Sequence, residues 1–219
     1  MSDVPNPSAP PIVKRPWLWT LFALIILSIP AAATLAAKLR PHRTNLPHLG
    51  KVPAFSLIDQ EGHPFDSSEL AGKTWVVDFV FTSCPEACPK LSAEMARLQT
   101  WLQNRGKDAE IHLLSITVDP EHDTPERLKA YAAGFHADPH LWKFVTGSSK
   151  QIEDAVVGGF KISVTKEKDD TPTGFSILHG THFILIDGAG AIRGFYDASD
   201  SLSMERLREH IQIVAGGNS

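Results

Sequence analysis

Thr74-Trp-Val-Val-Asp-Phe-Val-Phe-Thr-Ser-Cys-Pro-Glu-Ala-Cys-Pro89 is the stretch on which the reading of this chain turns. Its first half, Thr74 to Phe81, is apolar, β-branched and aromatic, as a buried central strand requires. It stops abruptly at Thr82-Ser83. From Ala87 to Asn104 the apolar residues Leu91, Met95, Leu98, Trp101 and Leu102 recur at helical spacing. The two cysteines, Cys84 and Cys88, therefore fall where a strand turns into a helix, with the helix expected to start inside the motif and Pro85 in its first turn. A helix N-terminus exposes unpaired N–H groups and a partial positive charge, which stabilise a thiolate and lower its pKa.

These are the only two cysteines in 219 residues. A disulfide closing so short a loop removes little chain entropy, so a purely structural bridge is a poor explanation. Residues four apart lie one helical turn apart, which lets both sulfurs face one ligand. Two soft thiolates at that spacing select Cu(I) or Zn among common metals. They also lie within the distance a disulfide spans, so thiol redox chemistry stays open beside metal binding.

Outward from the motif, strand and helix patterns alternate. Ala54 to Phe65 reads as a hairpin around Gly62, and Ile111 to Val118 as a second buried strand. Asp123-Thr-Pro-Glu126 reads as a helix start with Asp123 as the cap, the helix ending near Gly134. Leu141 to Val145 predicts a short strand and Lys150 to Val157 a short helix. Residues 166–174 form a polar insertion. His182 to Ile186 and Ala191 to Tyr196 predict a hairpin, closed by an amphipathic helix over Leu202 to Val214. Strand–helix–strand–helix followed by a hairpin and a helix is a thioredoxin-like α/β arrangement, a central mixed sheet flanked by helices.

The N-terminus carries a separate signal. Trp17 to Ala37 contains no charged residue and has the roughly 20-residue length needed to cross a bilayer as a helix. Trp17 and Trp19 suit the headgroup level. Lys14 and Arg15 precede the segment, and Lys38, Arg40 and Arg43 follow it, so charge alone does not set its orientation. The small residues of Ala31 to Ala33 and Leu35 to Ala37 keep a cleaved signal peptide open, although an uncleaved anchor fits the length better. The expected organisation is a disordered cytoplasmic tail (1–16), a transmembrane anchor (17–37), a linker (38–50) and a thioredoxin-like domain (51–219). The net charge of −4, without a basic stripe, gives no footing for nucleic acid.

Phe81-Thr-Ser-Cys-Pro-Glu-Ala-Cys-Pro89 resembles the CxxxCP signature of the Sco (SenC) family of copper-binding, thioredoxin-like proteins. Leu70-Ala-Gly-Lys73 ahead of it and Ser115-Ile-Thr-Val-Asp-Pro-Glu-His-Asp-Thr-Pro125 after it are similar to further blocks of that family. The resemblance implies copper, as Cu(I), Cu(II) or both, held by Cys84, Cys88 and a third ligand at His179, ahead of Phe183-Ile-Leu-Ile-Asp187. His182 is the fallback for that ligand. Many relatives have Asp immediately before the histidine, where this chain has Leu178. Asp119 is then either the carboxylate that orients the imidazole or a turn residue before Pro120.

By the same resemblance, the domain is a metallochaperone that passes copper to the binuclear centre of cytochrome c oxidase subunit II. A second copper chaperone or a thioredoxin-like reductant are further expected partners, and the expected location is the periplasmic face of a bacterial inner membrane. The alternative is a thiol–disulfide oxidoreductase with Cys84 attacking and Cys88 resolving. Its counterweights are the three-residue spacer and Thr181, which stands roughly where such enzymes have a cis-proline.

Overall fold

The computed structural model of the protein describes residues 46–105, 111–160, 164–165, 176–177 and 181–216. The chain enters with β1 (Gly50–Lys51), the hairpin β2 (Ser56–Asp59) and β3 (Pro64–Asp66), and then β4 (Thr74–Val80). Next come α1 (Ala87–Gln103), β5 (Ile111–Thr117), α2 (Pro125–Gly134), β6 (Trp142–Thr146) and α3 (Ser149–Phe160). A two-stranded ladder of β7 (Val164–Thr165) and β8 (Ser176–Ile177) stands apart from the main sheet. The hairpin β9 (His182–Ile186) and β10 (Ala191–Asp197) and the helix α4 (Ser201–Gly216) complete the domain.

The main sheet has the strand order β1-β10-β9-β4-β5-β6-β2-β3. Strands β4, β5 and β6 run parallel, and the flanking pairs are antiparallel. All seven residues of β4 are buried, as its apolar run predicts. Pleating sends Val76, Asp78 and Val80 to one face and Trp75, Val77 and Phe79 to the other. The first face packs with Leu91, Met95 and Leu98 of α1, Leu128 of α2 and Leu207 and Ile211 of α4. The second packs with Ile152, Val156 and Phe160 of α3 and with the β2–β3 hairpin through Leu57 and Phe65. In the hairpin turn Asp59 Oδ1 accepts the N–H groups of Glu61 and His63, both at 2.9 Å. Gly62 closes it at φ +83°, a conformation that favours glycine.

This is the expected mixed sheet flanked by helices, with three local differences. First, α1 starts at Ala87, so Pro85 and Glu86 lie before the helix rather than in its first turn. Second, Asp123 is not the cap of α2. Thr124 is, its hydroxyl accepting the Arg127 N–H, with Pro125 opening the helix. Third, the last residues of the expected linker belong to the sheet. Leu46 is buried and its carbonyl accepts Arg193 Nη2–H, the Leu49 N–H donates to the Ile192 carbonyl, and Gly50 pairs with Ile192. The tail, the anchor segment 17–37 and the insertion 166–174 lie outside the described residues.

The inner face of α1 should dominate the stability of this layer. Leu98→Ala removes a side chain with no exposed surface and should lower the unfolding free energy by about 2–5 kcal/mol in urea titrations. Leu202→Ala, at a half-exposed position, should stay within about 0.5 kcal/mol of the parent.

Candidate metal centre

The site forms where β4 gives way to α1. After Val80 the chain makes a turn closed by the Cys84 N–H donating to the Phe81 carbonyl, 3.2 Å. Glu86 occupies the N-cap position of α1, but its side chain caps nothing. The sulfur of Cys84 takes that place, accepting the Cys88 N–H at 3.3 Å. A helix of 17 residues thus offers its positive end to a thiol rather than to a side-chain oxygen.

The two thiols are unequal. Partial burial pushes the Cys84 thiol up, but the N–H groups of Cys88, Glu86 and Ala87 and the thiol of Cys88 outweigh it, leaving its pKa below the ordinary cysteine value. Cys88 is pushed up to about 12, first by its burial and then by the negative charge it faces on Cys84 and Asp78. The Phe81 N–H opposes this without reversing it. Both cysteines are free thiols.

Below Cys88, on the same face of the sheet, lies Asp78. It has no exposed surface; Ser115 Oγ–H donates to its Oδ1 at 2.5 Å, and Trp142 Nε1–H donates to Ser115 Oγ at 2.9 Å. Its Oδ2 has no hydrogen-bond partner among the described residues. Burial, only partly offset by the Ser115 hydroxyl, raises the Asp78 carboxyl to about 7. Sequence reasoning passed over this residue, although one acid inside a seven-residue apolar strand was a visible signal.

The loop after β5 borders the cysteine turn, as the strand order requires, with the Val118 N–H donating to the Val80 carbonyl at 3.0 Å. Asp119 is a turn residue here: its carbonyl accepts the His122 and Asp123 N–H groups. Its Oδ1 lies 2.8 Å from His122 Nδ1, and its buried Oδ2 lacks a partner among the described residues.

His179 and Leu178 fall outside the described residues. His182 is the exposed first residue of β9. By strand alternation it shares the side of Ile184 and Ile186, which belong to the α3 face, whereas Phe183 and Leu185 pack with Cys88. Thr181 does reach the site's surroundings: it lines a cleft of about 550 Å³ together with Glu86, Ala87, Lys90 and Leu91. Among the described residues no group of three or more Cys, His, Asp or Glu is placed to hold a metal.

The inequality of the thiols predicts selective chemistry. Limited iodoacetamide at pH 7 should label the reduced protein at Cys84 well before Cys88, as read by peptide mapping; equal labelling would contradict the geometry. Asp78 predicts a pH effect of definite sign. Its folded pKa near 7 exceeds the ordinary carboxylate value, so between about pH 4 and 7 the folded state holds a proton that the unfolded chain has released. Stability therefore falls as pH rises through that window, and Asp78→Asn should flatten this part of the unfolding free-energy profile.

Residues 45–215 match the family described as SCO1/SenC. The SCO2-like protein of Rickettsia typhi is 38% identical over 194 residues, which is 86% of this chain and 90% of that protein. The structure of BsSco, described as a member of the Sco family of cytochrome c oxidase assembly proteins with a disulfide switch, superimposes with a TM-score of 0.68 at 28% identity. That match covers 78% of this chain and 97% of BsSco. Yeast Sco1 with copper bound gives a TM-score of 0.58 at 26% identity, covering 76% of this chain and 90% of that one.

Proposed function

The chain belongs to the SCO1/SenC family, and we propose that it is a copper metallochaperone that binds copper through Cys84, Cys88 and His179. The observation that carries this reading is the pair of free thiols at the N-terminus of α1, with Cys84 Sγ on the Cys88 N–H. Soft sulfur ligands suit Cu(I), and a preformed positive end lowers the cost of charging the first of them. Copper bound to yeast Sco1 supports the choice of metal. For the third ligand, support comes from the family resemblance, which puts it at His179, ahead of β9. Thr181, two residues after His179 in sequence, lines a cleft with Glu86 and Ala87, and strand alternation sets His182 on the side of Ile184 and Ile186.

Two thiolates and one imidazole leave Cu(I) open to an incoming thiolate, so the ion can pass to an acceptor without being released. The acceptor in this reading is the binuclear centre of cytochrome c oxidase subunit II, in line with the assembly role described for BsSco. Loading requires both thiols reduced; closing Cys84 and Cys88 into a disulfide releases two protons and two electrons and removes two ligands. A thioredoxin-like reductant or a second copper chaperone would reset or load the site. The apolar segment 17–37 would hold the domain on the periplasmic face of a bacterial inner membrane.

One observation favours thiol–disulfide exchange as a second activity. A lowered Cys84 thiol beside a raised, buried Cys88 thiol is the pairing of an attacking and a resolving cysteine.

Reduced protein should bind copper at one equivalent. Cys84→Ser and Cys88→Ser should each abolish tight binding, and His179→Ala should weaken it while leaving Cys84 labelling unchanged. Deletion of the gene should lower oxidase activity and added copper should restore it; intact oxidase in the deletion strain would refute the assembly role.

A further inference from the structure

Asp123 has no exposed surface and lies just past the end of β5, forty-one residues in sequence from the loop it grips. Its Oδ2 accepts the Thr82 N–H at 3.0 Å and the Thr117 hydroxyl at 2.6 Å. Its Oδ1 accepts the Thr82 hydroxyl at 2.5 Å, with the same Thr82 N–H at a longer 3.3 Å. The Thr117 hydroxyl in turn accepts the Asp119 N–H at 3.0 Å, and the Asp123 N–H donates to the Asp119 carbonyl at 2.9 Å. One carboxylate thus ties the end of β5, the loop after it and the loop after β4 into one unit.

Helix capping does not account for this residue, because Thr124 caps α2. What Asp123 fixes is Thr82, at both backbone and side chain, two residues before Cys84. Only the Phe81–Cys84 turn separates that anchor from the sulfur on the Cys88 N–H. A backbone pinned at Thr82 leaves Cys84 little freedom to swing its sulfur off the helix end. We propose that Asp123 is a positioning residue for Cys84, holding the cysteine loop from the neighbouring strand so that the sulfur is seated before any ligand arrives. Its consequence for copper rests on the metallochaperone reading; its consequence for the thiol does not.

Asp123→Asn in the full-length chain keeps the shape but turns one oxygen into an NH2 group that faces threonine donors. In the reduced, copper-free protein, labelling of Cys84 by iodoacetamide at pH 7 should slow several-fold. Cu(I) affinity, measured against a chromophoric chelator, should fall roughly 10- to 100-fold, the range for removing a partner that orients a metal ligand. Thr82→Val, which deletes only the hydroxyl at constant shape, should shift both readouts the same way, and Thr82→Ser should restore them. The double variant Asp123→Asn with Thr82→Val should be little worse than the worse single variant, since the two share the bond between the Thr82 hydroxyl and Asp123.

Unchanged labelling in Asp123→Asn would overturn the proposal, and so would additive losses in the double variant. Should Asp123→Asn fail to fold, the Thr82→Val and Thr82→Ser pair decides the matter by the labelling rate alone. Should the parent protein bind no copper, the metallochaperone reading fails while the labelling comparison still judges Asp123.

Discussion

The domain depends on an unpaired helix end placed against a sulfur. The N–H of Cys88 has no carbonyl four residues back to bond, and the sequence supplies no Ser, Thr, Asn or Asp at the N-cap position to receive it. Cys84 Sγ receives it instead. This requires β4 to deliver the chain to a fixed point, which is why that strand is buried along its whole length and hydrogen-bonded on both sides, by β5 and β9. It also requires α1 to be held against the sheet, which Leu91, Met95 and Leu98 do through a continuous apolar stripe. The site is therefore the junction of a fully buried strand and a helix packed on it.

The same arrangement makes two cysteines four residues apart chemically different. Cys84 sits at the rim and collects N–H groups; Cys88 points into the layer that holds Asp78, Ser115, Trp142 and Tyr131. Negative charge is stabilised at the first and opposed at the second. A metal or a disulfide partner that needs both sulfurs must pull the Cys88 proton out of a buried layer. Asp78, with its partnerless Oδ2 among the described residues, shares that layer and has its own charge opposed by burial. Burial in this layer opposes the charged forms of both Cys88 and Asp78, whereas the N–H groups at the rim favour the thiolate of Cys84.

Periodicity made β4, α1, β5, β9, β10 and α4 legible, because each buries one face and its apolar residues repeat with the period of the element. The start of α1 was not legible, since the N–H of its second residue, Cys88, is satisfied by the sulfur of Cys84, upstream of the helix, and no propensity reports that. Asp123 was misread for a related reason: a local rule for helix starts was applied to a residue whose partners are distant. The corrective signal was present in Thr124-Pro125, because proline prefers the first helical position and so puts the cap on Thr124, freeing the acid before it. The pairing with Thr82 was beyond local reading, as it depends on β4 and β5 being parallel neighbours in register.

That register also explains why the two sequence blocks of the family resemblance occur together. Val80 pairs with Thr117, so the chain leaving β4 and the chain leaving β5 emerge side by side at one edge of the sheet. Any loop after β5 must either support the cysteine turn or crowd it. Thr117, Asp119 and Asp123 support it by bonding one another and Thr82, and Pro120 and Pro125 limit the conformations open to the segment between them. The β5 loop and the cysteine turn are thus joined through one buried carboxylate, that of Asp123. His122, exposed and bonded to Asp119, stands on that same loop. The residues of the second block that support the cysteine turn, Thr117, Asp119 and Asp123, are buried beneath it, while His122 marks the loop's exposed side.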